Sequence, residues 1–174
     1  MLATARLLLR PVAADDLKPL SQIWSDSEVM RHMGAGVRDD AASRKRHREL
    51  MEHQGRHGFG KWAVVERSSG DVIGYCGIEL YEGGPDVELG FSFARAAWGK
   101  GYATEAASRW LEHAFETLGF PRVIALVRAS NAASIRVLEK LGMAHIGSVS
   151  FDGRDWLLYD TRSSAFSAIS RSPL

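Results

Sequence analysis

Two closely spaced glycines, Gly99 and Gly101, stand between a short apolar strand and an amphipathic helix. The strand is predicted over Val87–Phe93, and the helix begins near Gly101, with apolar residues recurring every three or four positions. Glycine lacks Cβ, so another molecule can approach this backbone closely. The unpaired amides of a helix's first turn, together with the helix macrodipole, attract anions. The backbone amides of residues 99–104 are therefore predicted to bind a phosphate group.

The spacing of this loop does not match two well-known phosphate motifs. A Walker loop needs Gly-x-x-x-x-Gly-Lys-Ser/Thr, which Gly99-Lys100-Gly101-Tyr102 does not provide. A dinucleotide fingerprint needs a third Gly or Ala where this chain has Thr104. A Gly-x-Gly before a helix is also often a simple tight turn, so the loop alone leaves its ligand open.

The composition is that of an ordinary globular domain. The 174 residues are 45% hydrophobic and 25% charged, which is enough for one domain with a sizeable core. Subtracting 21 acidic from 22 basic residues leaves a net charge of +1, which gives no electrostatic case for nucleic acid. No apolar run approaches the roughly 20 residues of a membrane span. We expect a cytoplasmic monomer or homodimer with no nucleic-acid or membrane partner.

Cysteine and histidine give little support for a metal site. Cys76 is the only cysteine, and its apolar strand setting predicts a buried core residue without an activating partner. His53 and His57 are four residues apart, but no Glu-x-x-His pattern accompanies them. No metal is expected.

Periodicity and turn residues divide the chain into strands and helices. Strands are predicted at residues 6–12, 59–66, 71–80, 87–93, 122–128, 143–151 and 154–161. Helices are predicted to begin after Asp15 or Asp16, after Asp39 or Asp40, near Gly101 and after Ser130 or Asn131. This order predicts one α/β domain over residues 1–162, with a mixed, mostly antiparallel, seven-stranded sheet and helices on both faces. Residues 163–174 show no convincing pattern and are expected to form a frayed tail.

A second motif follows the strand predicted at 122–128. Residues 131–143 read NAASIRVLEKLGM. With the loop at 99–101, this stretch resembles the GNAT N-acetyltransferases, whose acyl-coenzyme A loop reads Gln/Arg-x-x-Gly-x-Gly/Ala. Their later motif reads Asn-x-x-Ala/Ser before a helix that ends Lys-x-Gly-Phe. The chain departs from these patterns at Ala96, where the loop motif has Gln or Arg, and at Met143, which replaces the aromatic residue.

Further features resemble one branch of that family, the ribosomal-protein N-terminal acetyltransferases RimJ and RimL. Trp98 stands beside the loop, residues 101–106 read GYATEA, and Asn131 is followed by Ser134. The resemblance covers nearly the whole chain. It implies a GNAT fold, acetyl-coenzyme A as co-substrate, and direct acetyl transfer to a primary amine. Among primary amines, the resemblance favours a protein N-terminus slightly.

Two alternatives stay open. The same pattern is shared by enzymes that acetylate small amines, amino acids or antibiotics. A non-catalytic acyl-coenzyme A sensor module would instead bind the cofactor without turnover.

The resemblance implies a cofactor site in three stretches. Amides of the glycine loop would hold the pyrophosphate, and a splayed strand would offer backbone groups to the pantetheine and an amide to the carbonyl oxygen. Trp98 would cover the ligand, Asn131 would bind the pantetheine arm or the amine, and Arg136 would meet the 3′-phosphate. The expected cofactor-binding residues are Phe91, Ser92, Phe93, Trp98, Gly99, Lys100, Gly101, Tyr102, Ala103, Thr104, Asn131 and Arg136.

Two residues are expected to carry the acid–base chemistry. Glu88 lies on the strand where similar GNAT enzymes often carry a carboxylate, which makes it the candidate general base, directly or through water. The alternative is an edge carboxylate that faces water. The tyrosine that many family members use as general acid would fall at Leu138, so Ser134 is the candidate acid. A serine there can equally bond the helix backbone.

The remaining conspicuous side chains are expected to be structural. The basic run at residues 44–48, RKRHR, predicts a solvated helix face. Trp24, Trp62, Trp110 and Trp156 fall in apolar patterns and are expected in the core.

Overall fold

One mixed sheet organises the molecule. The computed structural model describes residues 1–151 and 153–170. The strands are β1 Leu2–Ala3, β2 Leu7–Arg10, β3 Lys61–Glu66, β4 Val72–Leu80, β5 Val87–Phe93, β6 Arg122–Val127, β7 Ala144–Phe151 and β8 Arg154–Arg162. Their order across the sheet is β1-β2-β3-β4-β5-β6-β8-β7, and β5 with β6 is the parallel pair among antiparallel neighbours. The predicted mixed sheet is confirmed, and the strand beyond the expected seven is the two-residue β1.

Helices cover both faces of the sheet, as predicted. They are α1 Leu17–Ser25, α2 Ser27–Met30, α3 Asp40–His57, α4 Tyr102–Glu112, α5 Ala132–Lys140 and α6 Ser163–Ser170. A π-helical segment, His113–Thr117, extends α4. The sequence shows no pattern after residue 162, whereas the structure continues with α6, where Phe166 is buried and its ring centre lies 5.4 Å from that of Phe115. Residues 171–174 of the expected tail lie outside the described residues.

Each face of the sheet has its own hydrophobic cluster. One cluster joins strand residues such as Leu89 and Val123 to Trp110 and Leu111 of α4. The other joins residues of β3 and β4, including Tyr75, to α1 and α3. We call these the α4 face and the α3 face of the sheet. No helix among the described residues has the length and apolarity that crossing a membrane requires.

The basic run on α3 is only partly solvated, which corrects the sequence interpretation. Arg44 and Lys45 pair with acidic neighbours on the helix surface. Arg46 instead turns toward the sheet and pairs with Glu79 at 2.8 Å, and buried His47 places Nε2 2.9 Å from the carbonyl oxygen of Ala13. The run of charges alone does not show which of these side chains face the sheet, because the positions that face the sheet recur with the helical period, whatever the residue type.

His53 joins the end of α3 to the sheet through both ring nitrogens. Nδ1 lies 3.1 Å from the carbonyl oxygen of Phe59, and Nε2 accepts the backbone N–H of Leu80 at 3.4 Å. The first contact requires a proton on Nδ1 and the second requires none on Nε2, so the neutral imidazole fits both. Burial lowers the pKa of His53 below its ordinary value of 6.5, and the nearby Glu79 charge only partly offsets that effect.

Acidification is therefore expected to destabilise the fold through His53. Because the folded protein holds His53 neutral, the pKa of His53 is lower in the folded than in the unfolded state. The stabilisation that results is fully present above the unfolded pKa of about 6.5 and decreases as the pH falls below that value. Urea unfolding at pH 7.5 and 5.5 should show a smaller loss for His53→Gln than for the wild type. His145→Gln, at an exposed position on β7, should keep the wild-type pH dependence. Equal losses in all three proteins would contradict this assignment.

Candidate active site

Strands β5 and β6 separate after a short parallel stretch. Among the described residues, their register partners are Val87 with Val123 and Glu88 with Ile124 alone. Beyond Glu88 a cleft of about 370 Å³ opens between Gly90 and Phe91 on one side and residues 125–128 on the other. The β6 side of β5 there lacks a strand partner among the described residues, so its backbone groups are available to a bound molecule.

The glycine loop lies at the end of β5 and opens α4. Gly99 and Gly101 have φ of +74° and +80°, the left-handed region that glycine adopts without strain. No atom of the described residues lies within 4 Å of a Cβ built on Gly99, so the loop leaves open space there. Gly101 is the N-cap of α4, and no described side chain caps the helix. The first-turn amides of α4 therefore remain available for an anion.

Arg6 holds this loop from the first hairpin. Its Nη1 donates to the carbonyl oxygen of Lys100 at 2.9 Å, and its Nε and Nη2 reach Glu105 at 2.7 and 2.6 Å. The guanidinium carbon also lies 4.6 Å from the ring centre of Tyr102. Glu105 further accepts hydrogen bonds from Thr4 Oγ1 and the Arg6 backbone N–H. The turn at residues 4–6 thus fixes the N-terminal end of α4.

A buried ionic cluster supports the wall of the cleft. The Nζ atom of Lys61 lies 3.0 Å from Glu79, which also pairs with Arg46 at 2.8 Å. Lys61 packs directly beneath Gly90, where a Cβ would come within 2.7 Å of Nζ. Glu79 and Glu88 are register partners on β4 and β5, so both carboxylates project from the α3 face. Only glycine at position 90 leaves room for this lysine beside Glu88.

The pKa values of the cluster show strong mutual stabilisation. Burial alone would raise the pKa of Glu79, but the Lys61 and Arg46 charges lower it to about 2. Burial alone would lower the pKa of Lys61, but the charges of Glu79 and then Glu88 raise it above its ordinary value. Lys61 therefore remains a cation at neutral pH.

The end of the cleft on the α3 face is bridged by the loop between α2 and α3, residues 31–39. His32 Nδ1 lies 3.2 Å from Ser130 Oγ, which follows β6. Arg154 on β8 donates to the carbonyl oxygen of Gly34 at 3.1 Å, and a Cβ on Gly34 would contact the Trp156 ring at 3.4 Å. Trp156 was expected in the core, but it is only partly buried and lines the cleft. The correction arises because Trp156 lies just beyond the last pair of β6 with β8, Val127 with Leu157, where its ring meets Arg128 of the cleft.

The cleft brings together several of the residues predicted from sequence. Glu88, Phe91, Asn131 and Ser134 all line it. The Asn131 side chain accepts the backbone N–H of Ser134 at 3.1 Å, which confirms Asn131 as the cap of α5. Leu138 lines the cleft at the position where the resemblance expects a tyrosine.

Other predicted residues surround the cleft or contribute backbone alone. Ser92 and Phe93 are buried, and Trp98 is half-exposed with its indole N–H donating to Phe93 at 2.9 Å. Tyr102 directs its hydroxyl to Glu66, away from the cleft, so only its backbone faces the loop. Arg136 is exposed on α5. The remaining predicted residues form the loop and the first turn of α4, namely Gly99, Lys100, Gly101, Ala103 and Thr104.

Four residues of the site were not anticipated. Lys61, Arg128 and Trp156 line the cleft, and Arg6 holds the loop. A charged residue at the start of the apolar segment KWAVV was the available signal for Lys61. The other three depend on contacts between distant segments and leave no local pattern.

Comparison with known proteins agrees with this geometry. Residues 6–144 match the family model described as "Acetyltransferase (GNAT) domain". The chain belongs to the GNAT acetyltransferase family. It is 30% identical to the uncharacterized N-acetyltransferase p20 of Bacillus licheniformis, over 84% of this chain and 83% of the relative. Its fold matches a GNAT acetyltransferase from Bacillus anthracis with a TM-score of 0.83 and 26% identity, covering 94% and 98% of the two chains.

A more distant GNAT structure shares the fold alone. Spermidine N-acetyltransferase from Vibrio cholerae, solved in complex with CoA and spermine, has a TM-score of 0.78 and 18% identity, covering 94% of this chain and 99% of its own. Family membership identifies the present chain as an acyltransferase, and burial raises the pKa of the Cys76 thiol, so that residue is not an activated nucleophile.

Proposed function

We propose that this GNAT enzyme transfers an acetyl group from acetyl-coenzyme A directly to a small primary amine. The observation that carries the proposal is Glu88 at the point where β5 and β6 separate, with its carboxylate on the cleft. A carboxylate at this position can accept the proton that the acceptor's ammonium must lose. Acetyl-coenzyme A supplies the activated acetyl thioester.

The residues present fit this co-substrate. Open space at Gly99 and the uncapped first turn of α4 suit a pyrophosphate. The unpaired edge of β5 near Phe91, Ser92 and Phe93 suits the amide groups of a pantetheine arm. Exposed Arg136 is the proposed contact for the 3′-phosphate, and Trp98 the proposed cover of the loop.

The acid–base roles follow from the lining of the cleft. Glu88 is the proposed base, directly or through one water. Asn131 Oδ1 is occupied by capping α5, which leaves its amide N–H groups for the pantetheine or the amine. The Ser134 hydroxyl is proposed to protonate the leaving thiolate. Leu138 stands where the resemblance expects a tyrosine, and its side chain has no proton to donate.

The cleft bears on the choice of acceptor. The resemblance to RimJ and RimL suggests a protein N-terminus, whereas the bridging loop at 31–39 narrows access from the α3 face. The cleft volume of about 370 Å³ lies at the low end of the range of about 300–1,000 Å³ for ligand sites. Both observations favour a small amine over a polypeptide.

Thiol release from acetyl-coenzyme A against a panel of acceptors tests the proposal. The panel contains free amino acids, polyamines, aminoglycosides, peptides with free N-termini, and N-blocked peptides bearing lysine. We expect turnover with a small amine and none with blocked peptides. Acetyl-coenzyme A raising the melting temperature without any turnover would favour a sensor module, and no binding would exclude the proposal.

Arg6→Gln is expected to raise the KM for acetyl-coenzyme A roughly tenfold with a smaller change in kcat. Hydrogen bonds to charged groups contribute about 1.5–3 kcal/mol, and 1.4 kcal/mol corresponds to tenfold. Loss of the Arg6 bonds to Lys100 and Glu105 would loosen the pyrophosphate loop. Steady-state kinetics measure the effect, and Arg56→Gln, in an exposed ion pair on α3, is the matched control. An unchanged KM would show that Arg6 does not position the loop.

A further inference from the structure

The bridged end of the cleft is a partly enclosed corner. The loop at 31–39 is tied to the segment after β6 through His32 and Ser130, and to β8 through Gly34 and Arg154. These contacts join elements on opposite sides of the cleft. An acceptor that enters this corner is therefore surrounded by His32, Met33, Gly34, Arg128 and Trp156.

Arg128 is a cation in this corner without an acidic partner among the described residues. Its guanidinium carbon lies 5.4 Å from the Trp156 ring centre, and its N–H groups have no hydrogen-bond acceptor among the described residues. Lys61, the other basic side chain of the cleft, is already paired with Glu79. An acceptor with only a positive charge would leave Arg128 unpaired in a partly enclosed space.

Besides Lys61, which pairs with Glu79, the charged residues of the cleft are Glu82 and Glu88 near the turn between β4 and β5 and Arg128 at the other end. Glu88 lies opposite Ile124 at the base, and Arg128 follows four residues further along the same segment. With a strand rise of about 3.3 Å per residue, their backbones are about 13 Å apart along the cleft. Both side chains line the cleft, so a small molecule that lies along it can meet a carboxylate at one end and a guanidinium at the other.

We propose that the acceptor is a free amino acid whose amine lies at Glu88 and whose carboxylate binds Arg128. This inference rests on the proposed acetyl transfer and names its acceptor class. The guanidinium fork matches a carboxylate in two parallel hydrogen bonds, and the nearby Trp156 ring helps to hold the guanidinium at the cleft. A carboxylate in the corner also neutralises the charge that the described residues leave unpaired.

Matched acceptors test the inference in the wild-type enzyme. Thiol release and mass spectrometry of the products are measured for the free L-amino acids, for their carboxamides, and for tetrapeptides beginning with the same residues. We expect kcat/KM to be at least about 100-fold higher for a free acid than for its carboxamide, because the carboxamide leaves Arg128 unpaired. Carboxamides as good as free acids, or tetrapeptides preferred over both, would overturn the inference while leaving acetyl transfer established. No turnover with any amine would overturn the proposed function itself.

Arg128→Gln should remove this preference mainly through the KM of the free acid. Activity toward the carboxamide should stay near its wild-type value, and Arg128→Lys should restore part of the preference because it keeps the charge but lacks the fork. The matched control is Arg48→Gln, at an exposed position on α3. An equal loss of kcat/KM toward the free acid and the carboxamide would show that Arg128 has a structural role and does not bind the carboxylate.

Discussion

Replacement of Glu88 by Gln is expected to lower kcat at pH 7.5 by about 10²- to 10⁴-fold, the usual contribution of a positioned general base. Glutamine is nearly isosteric but cannot accept the proton of the acceptor's ammonium. Glu88 faces the cleft where β5 and β6 separate, so the substitution removes the proposed base and leaves the strand pairing intact. Acetyl-coenzyme A binding, measured by calorimetry, should stay within about threefold, a difference of under 1 kcal/mol.

The pH profile separates a base from a structural carboxylate. Activity of the variant should rise with pH up to the pKa of the acceptor's amine, because the free amine needs no base. Glu139→Gln, at an exposed position on α5, is the matched control and should keep wild-type kinetics. An active Glu88→Gln enzyme with an unchanged profile would assign deprotonation to water alone.

Glu79→Gln is expected to destabilise the fold by about 3–5 kcal/mol, the range for removing one partner of a buried ion pair. Glu79 neutralises Lys61 and Arg46, and both cations would remain near the cleft without it. Urea denaturation at pH 7.5 measures the change. The same variant should also lower kcat, because Lys61 packs beneath Gly90 and contributes to the charge around Glu88.

Glu49 is a control that separates the effect of burial from the effect of ion pairing. Glu49 pairs with the same Arg46 at 3.6 Å, but its side chain is 44% exposed, and Glu49→Gln should cost less than about 1 kcal/mol. Because the folded pKa of Glu79 is lowered from 4.5 to about 2, its contribution is present above pH 4.5 and declines as pH falls toward 2. Equal costs for the two variants, or no extra acid sensitivity in the wild type, would contradict the assigned role of the cluster.

Local patterns in the sequence were sufficient for the main elements. The glycines at 99 and 101 predicted an open helix start because no other residue adopts their backbone conformation easily. Ser130 or Asn131 was predicted to cap the following helix, and Asn131 is the residue that caps it. Each of these features depends on residues within a few positions of one another.

Contacts between distant segments were not predictable in the same way. Arg46 was interpreted as a surface charge and Trp156 as a core residue, yet Arg46 pairs from α3 with Glu79 on β4 and Trp156 lines the cleft. Arg6 and Lys100 are far apart in the chain and meet only when β2 and α4 pack together. The order of residue types along the chain does not show which elements pack against one another.

The sequence by itself indicated the GNAT family, because two motifs with short-range spacing carry the resemblance. Through that resemblance it also predicted the glycine loop as the phosphate site and Glu88 as the base. The tertiary structure alone decided the shape and charge of the end of the cleft where we propose that the acceptor binds. That end is formed by the loop at 31–39, the segment after β6 and strand β8, which the sheet order brings together. Whether a charge such as Lys61 or Arg128 is paired depends on that assembly, since ion pairs across a fold form between side chains that are remote in sequence.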